Sequence, residues 1–240
     1  MRAETGELNP REIIVLLRGD PGRIAGWTER LDARRLALPL GVIVAGAGLY
    51  GTAMGWWRDP QQALYVAIKF PLIILLTTGG NTLLDAMLAP LLGLNLPFRQ
   101  SFLAILMSFT IAAMVLGAFS PLAAFVAWNA PATSPGAVSG PTYHFIKLAH
   151  VAAIAFAGVA GNIRLFQLLA GLGRSRTVAR RVLIAWLAGN LFLGSQLSWM
   201  LRPFIGSPGL PVEFLRHGLA LQGNFYENVF RTLLQLLQMD

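Results

Sequence analysis

Long stretches of this chain contain apolar side chains without a single charged one. Residues 36–57, 100–146 and 182–201 hold no Asp, Glu, Lys or Arg. Each is long enough to cross a bilayer as a helix, which takes about 20 apolar residues. A soluble domain of 240 residues cannot bury so many helices that are apolar on all sides. The pattern therefore predicts an all-α, polytopic membrane helix bundle.

Glycine, proline and polar residues divide the apolar stretches into five spans with a kinked second member. Gly79, Gly80 and Asn81 are predicted to break the second span, so that residues 82–92 form either the rest of a kinked helix or a short interfacial one. Ser120 and Pro121 are predicted to interrupt the third span. The five spans cover about residues 36–57, 63–78, 101–128, 143–169 and 182–201.

Basic residues are concentrated on alternate sides of the predicted spans. The loop between the first two spans holds only Arg58 beside Asp59, and residues 129–142 are uncharged. Short loops rich in Lys and Arg favour the cytoplasm, which predicts a cytoplasmic N-terminus and an extracytoplasmic C-terminus. The basic residues on the predicted inner side are Arg30, Arg34, Arg35, Arg99, Arg174, Arg176, Arg180 and Arg181.

Amphipathic segments are predicted outside the spans, which divides the chain into residues 1–35, 36–201 and 202–240. In the leader, apolar residues between charged ends predict a short helix on the cytoplasmic membrane surface, or alternatively a helix that docks a partner. Those apolar residues are Ile13, Ile14, Leu16 and Leu17.

The segment after the last span combines a turn-rich strap with a terminal helix. Trp199 and Arg202 are predicted to anchor the last span at the outer interface, where Pro203 ends the helix. Residues 222–238 predict a helix that packs on the span ends, lies on the leaflet surface or binds another protein. Asn224 is its candidate N-cap, with Glu227 three residues later; the apolar stripe is Phe225, Val229, Leu233 and Leu236.

Composition narrows the classes of partner and cofactor. Only 12% of residues are charged, against about 25% in ordinary soluble proteins. The net charge of +8 therefore indicates membrane topology and not nucleic-acid binding, since no soluble basic face is evident. The chain has no cysteine, which excludes thiolate metal sites and cysteine nucleophiles.

Two ionisable residues in the second span are candidate functional groups, because charge inside a membrane is costly. Lys69 lies two residues before Pro71, in the sequence AIKFPLI, and Asp85 follows the predicted break. Three alternatives remain for Lys69: its side chain extends to the outer interface, it pairs with Asp85, or it serves transport or catalysis.

The fourth span begins with the ionisable residues His144, Lys147 and His150, spaced i, i+3 and i+6 on one broad helix face. Histidines on a helix can bind metal or haem, but the metal signature with two histidines four residues apart is lacking and an adjacent lysine repels a cation. We expect only His150 to be buried, and no cofactor. The sequence GAGLYG, residues 46–51, lies inside the first span and predicts close helix packing instead of nucleotide binding.

The second span and its continuation, LYVAIKFPLIILLTTGGN at residues 64–81, resemble the Yip (Ypt-interacting protein) family. The five predicted spans and the predicted cytoplasmic N-terminus are part of the same resemblance, which covers roughly residues 35–201. It implies a small multispan scaffold in membrane trafficking or organisation, without a cofactor. The Arg-rich compact loops are typical of a bacterial member in the cytoplasmic (inner) membrane, and residues 202–240 depart from the family pattern.

The sequence thus predicts a non-enzymatic membrane scaffold or accessory subunit that associates with the bilayer and with other membrane proteins or itself. The alternative is a small transporter or channel-like protein that uses Lys69, Asp85 and the helix break. A third possibility is an enzyme acting on lipids or a redox site at His144 and His150.

Overall fold

A computed structural model describes residues 33–131, 140–172, 175–206, 210–216 and 223–237, with side chains from residue 36 onward. The predicted leader helix around Ile13 lies outside these residues. The described part consists of helices and their connections, without a strand. The helices are α1 (Ala33–Trp56), α2 (Pro60–Leu91), α3 (Phe98–Asn129), α4 (Pro141–Leu172), α5 (Arg176–Met200) and α6 (Phe225–Leu237).

Five helices, α1 to α5, are long and apolar enough to cross a membrane. The prediction of an all-helical chain with five such segments is therefore confirmed, and it supports a multi-pass membrane protein. Capping side chains explain where two of these helices begin. The Asp59 carboxylate accepts a hydrogen bond of 2.7 Å from the Gln61 amide before α2, and the Ser175 hydroxyl accepts one of 3.2 Å from the Thr177 amide before α5.

The predicted break at Gly79 and Gly80 is wrong, because α2 continues as one helix through both glycines to Leu91. Of the two alternatives for residues 82–92, the rest of the second span is what the structure shows, and the separate interfacial helix is wrong. Breaking a helix in hydrocarbon would leave backbone N–H and C=O groups unpaired, which costs several kcal/mol per group. The flanking threonines also bond within the helix: the Thr78 and Thr82 hydroxyls each donate 2.7 Å bonds to the carbonyl four residues earlier. Residues 82–91 are therefore part of α2.

The predicted interruption of the third span is also wrong, since α3 passes through Pro121 to Asn129. Proline has no N–H for the carbonyl four residues earlier, which is that of Gly117. The Ser120 hydroxyl donates a 2.6 Å hydrogen bond to this same carbonyl. A side chain thus replaces the lost backbone bond, and the helix continues.

Helix α1 packs against α2 and α3 through its glycines, as the GAGLYG stretch predicted. A Cβ atom at Gly46 would lie 2.3 Å from the Ala113 carbonyl oxygen of α3. One at Gly51 would lie 2.6 Å from the Val66 carbonyl oxygen of α2. Backbone-to-backbone contact of this kind is how membrane helices gain packing without a hydrophobic driving force.

The remaining helices extend this core: α4 packs on α3, α5 packs on α2 and α4, and α6 lies against α4 and α5. The α1–α2 turn, the end of α3 and the described segment after α5 share one end of the bundle, which we call the strap end. The opposite end, with the α2–α3 connection and the start of α5, is the loop end. The described residues between α5 and α6, 201–206 and 210–216, are called the strap.

Candidate functional site

Lys69 is buried completely beneath the strap. Its ammonium donates a 3.1 Å hydrogen bond to the Pro203 carbonyl and lies 4.7 Å from the centre of the Phe214 ring. Asp85 is sixteen residues further along α2, about 24 Å away at 1.5 Å per residue. The predicted pair with Asp85 does not form, because the strap carbonyl and the aromatic face surround the Lys69 charge. The extension of Lys69 to the outer interface stays a prediction, since its ammonium reaches the segment that follows the last span.

Gln62 holds the strap together with Lys69. Its side-chain amide donates to the Pro203 carbonyl at 3.0 Å and to the Phe204 carbonyl at 2.7 Å. Sequence analysis missed this residue. Its spacing of seven residues from Lys69 places both on one helix face, and this spacing is the signal that could have identified it. The two side chains attach the strap to the bundle through backbone carbonyls that a proline-rich segment cannot pair internally.

Lys147 and His150 of α4 bond to two different helices, α6 and α1. The Lys147 ammonium donates to the side-chain oxygens of Asn228 and, at 2.7 Å, Thr232. The Tyr50 hydroxyl and His150 Nδ1 share a hydrogen bond of 2.8 Å. His144 is as buried as His150, so the expectation that only His150 is buried was wrong. The described residues contain no group of three or more His, Cys, Asp or Glu side chains that could hold a metal ion.

Helix α6 starts as predicted and turns most of its predicted apolar stripe to the bundle. The Glu227 amide donates to the Asn224 side-chain oxygen at 2.9 Å, which confirms the N-cap. Phe225, Val229 and Leu236 of the predicted stripe are half-buried, beside the polar residues that Lys147 contacts, and Leu233 alone of the four is exposed. A second apolar stripe faces outward and comprises Tyr226, Phe230, Leu233, Leu234 and Leu237.

A cavity of about 230 Å³ lies at the strap end, between α4, α5, α6 and the strap. The predicted interface anchors stand at its edge: the Arg202 guanidinium stacks 3.8 Å above the centre of the Trp199 ring. Burial lowers the pKa of Arg202 from its ordinary value, and the charge of Arg216 lowers it further. The cationic side chains that line the cavity are Lys147, Arg202 and Arg216, beside His150.

A second polar group lies nearer the loop end, between α2 and α5. The side-chain amide of Asn81 donates to the side-chain oxygen of Asn190. Both carboxylate oxygens of Asp85, Asn81 Oδ1 and Thr77 Oγ1 are buried without a hydrogen-bond partner among the described residues. A Cβ at Gly189 would lie 3.4 Å from Asn81 Oδ1 and 3.9 Å from Asp85 Oδ1. Both oxygens therefore converge on the space that this glycine leaves in α5.

Comparison with known proteins gives no relative from which a role could be transferred. No protein-family model matches the chain, and neither the curated proteins nor the solved structures contain a match. The resemblance to the Yip family stays a prediction, and the functional conclusion depends on the geometry of the bundle itself.

Proposed function

We propose that this protein is a non-enzymatic integral membrane protein that acts as a scaffold or accessory subunit of a membrane assembly. The observation that carries the proposal is the mismatch between composition and burial in α5. This helix has the lowest mean hydropathy of the five spans, yet only 11% of the residues in its membrane window are buried. In α3, the most apolar span, 56% are buried.

In a membrane protein surrounded by lipid alone, we would expect the least apolar span to be the most buried one. Hydrocarbon solvates apolar helices well, so the least apolar helix gains most from being enclosed by protein. Helix α5 carries Asn190, Ser195 and Gln196 within its span, but leaves a flank with Ile184 and Phe192 exposed. A neighbouring subunit on this flank would give α5 the protein environment that its composition favours.

Helix α6 lies beside the exposed flank of α5 and extends it with its own outward apolar stripe. It packs on α4 and α5, and the Tyr226 hydroxyl donates to the Leu191 carbonyl at 2.9 Å. The Lys147 contacts fix its orientation, so the outward stripe is presented in one position. The α5–α6 face, defined by Phe192, Phe230 and the residues between them on the two helices, is therefore the proposed docking surface for another membrane protein or a second copy.

The proposal includes the topology and location that the sequence predicts. Exposed arginines at the loop end, Arg99, Arg176, Arg180 and Arg181, support a cytoplasmic loop end by the preference of basic loops for that side. The strap and α6 then lie on the extracytoplasmic side of a bacterial inner membrane. Membership of the Yip family belongs to the same proposal and is supported by the quoted second-span sequence.

Site-directed cross-linking tests the α5–α6 face, and the chain helps because it has no native cysteine. Single variants Phe192→Cys and Phe230→Cys, whose native side chains are 67% and 61% exposed, are labelled with a benzophenone maleimide in native membranes and irradiated. We expect a discrete product of higher mass from both sites. A second epitope tag on a co-expressed copy shows whether the neighbour is the same chain.

Equally exposed positions on other helices are the controls: Leu64→Cys on α2 and Phe125→Cys on α3, with native side chains 60% and 61% exposed. These sites should give no discrete product, because lipid surrounds them. Products of equal yield from all four sites, or from none, would contradict the proposed docking surface.

A second candidate function is cation or proton transfer at Asp85. A buried carboxylate without a hydrogen-bond donor costs several kcal/mol unless a proton or a cation accompanies it. The unpartnered oxygens of Asn81 and Thr77 provide further oxygen ligands, which are the kind that hard cations prefer. The continuous α2 removes the broken-helix argument for transport, so this candidate depends on the oxygen group alone.

Asp85→Asn tests transfer at this site in proteoliposomes that contain either a pH-sensitive or a sodium-sensitive dye. We expect proton or sodium flux in the native protein and a loss of about tenfold or more in the variant, because the amide carries no negative charge. Asp59→Asn is the matched control, since asparagine also caps a helix and α2 stays intact. An absence of flux in the native protein, or equal flux in Asp85→Asn, contradicts the candidate.

A further inference from the structure

The strap-end cavity combines positive charge with apolar walls. Lys147, Arg202 and Arg216 face it, and no acidic side chain lies among the described residues that line it. The described acids in this part of the chain point elsewhere: Glu213 is exposed, and Glu227 pairs with Arg231 on the outer surface of α6. The cavity is therefore a positively charged site without an acid from these residues.

Among the cationic side chains of this cavity, Arg216 has a hydrogen-bond donor that is left unsatisfied in the described part of the chain. Its Nη2 atom is buried and has no hydrogen-bond partner among the described residues. A guanidinium remains charged and offers five N–H donors in a planar fork, and a buried donor left without a partner is destabilising, more so when it is charged. The neighbouring Arg202 adds repulsion. An anion in the cavity, which Arg216 lines, would pair with this guanidinium and offset that repulsion.

The other walls favour an amphiphile over a small soluble anion. Met54, Phe70, Val151 and Ile154 line the same cavity, and Ile154 is 37% exposed on the flank of the bundle. The site thus continues from the basic cluster to a surface that lies against acyl chains. It is also at the end of the spans, which is the depth of lipid headgroups.

We infer that this cavity binds the phosphate headgroup of an anionic phospholipid, with Arg216 and Arg202 on the phosphate and the first acyl carbons along Val151 and Ile154. Arginine suits this task because its fork matches two phosphate oxygens. The volume of about 230 Å³ is slightly below the roughly 300–1,000 Å³ of sites that enclose a whole small molecule. A headgroup fits inside while the chains remain in the bilayer.

The test measures lipid binding by the purified full chain. Native mass spectrometry and thermal unfolding are recorded in detergent with phosphatidylglycerol, phosphatidylcholine or inorganic phosphate. We expect phosphatidylglycerol to be retained and to raise the Tm, and phosphatidylcholine and phosphate to have little effect. Arg216→Gln should weaken phosphatidylglycerol binding about tenfold or more, because a charged hydrogen bond contributes about 1.5–3 kcal/mol and 1.4 kcal/mol is a factor of ten.

Two further variants separate binding from folding. Arg231→Gln removes an arginine from an exposed ion pair outside the cavity and should leave binding unchanged. Val151→Trp fills the apolar side without changing charge and should also reduce phosphatidylglycerol retention. Equal retention of both lipids, stabilisation by inorganic phosphate alone, or native binding in both Arg216→Gln and Val151→Trp would each overturn the inference.

Discussion

Replacing Gly46 with valine is expected to unfold or misassemble the bundle. The first added carbon would meet the Ala113 carbonyl oxygen at 2.3 Å, and this neighbour is backbone, which cannot rotate away. The residue also faces Gly117 of α3, whose own added Cβ would lie 3.0 Å from the Gly46 Cα. Overpacking usually costs about 1–3 kcal/mol where side chains can adjust, and a backbone clash that separates two helices costs more.

The measurement is the monodisperse fraction after detergent extraction, together with the Tm of the protein that remains. We expect Gly46→Val to lose most of the monodisperse fraction. Gly41→Val is the matched control, because it makes the same change in the same helix at a position where an added Cβ meets nothing within 4 Å. A Gly46→Val variant as stable as Gly41→Val would show that α1 and α3 are not in close contact.

The spans could be predicted because their signal is local. A long apolar run with few or no charges indicates a membrane helix by itself, and five such runs became five helices. The breaks predicted at Gly79 and Pro121 are wrong because, compared with soluble proteins, glycine and proline end helices less readily in a bilayer. There, water cannot pair a freed backbone group, so helices continue wherever a side chain such as Ser120 can replace the missing bond.

The contacts of the ionisable residues could not be predicted, because their partners are distant in sequence. Lys69 bonds to a carbonyl 134 residues away, and Lys147 bonds to side chains 81 and 85 residues away. The residue types indicate only that each charge needs a partner. Arg216 and Asn190 could not be identified as candidates for the same reason, because the groups beside each of them are brought there only by folding.

These contacts give the membrane lysines a common role. Lys69 holds the strap, Lys147 holds α6, and the two segments close the cavity at the strap end. Moving a lysine away from water is costly, and here the cost is offset by hydrogen bonds that fix the position of the C-terminal segment. That segment carries both the outward stripe of α6 and Arg216. The proposed docking surface and the proposed lipid site therefore depend on the same attachment.

The double variant Gln62→Leu with Lys69→Met is expected to detach the strap. Lys69→Met alone should have a small effect, because the Gln62 amide still donates to the Pro203 carbonyl at 3.0 Å. Together the changes remove the three described hydrogen bonds to the Pro203 and Phe204 carbonyls. Each buried carbonyl left unpaired costs about 1–3 kcal/mol. The readout is maleimide labelling of a cysteine placed at Ile205, which is buried at 8% exposure.

We expect the labelling rate of the Ile205→Cys reporter to rise about tenfold or more in the double variant, since 1.4 kcal/mol changes an opening equilibrium tenfold. Gln61→Leu is the control: it removes the same side chain one position earlier, where it is exposed and, among the described residues, donates to Tyr65 of the same helix. That control should label as slowly as the parent. If the double variant also labels slowly, the strap is held by its aromatic contacts, such as Tyr65 with Phe214 at 5.3 Å. If Lys69→Met alone produces the full increase, then the lysine holds the strap without help from Gln62. The prediction that both side chains hold the strap through the Pro203 carbonyl would then be wrong.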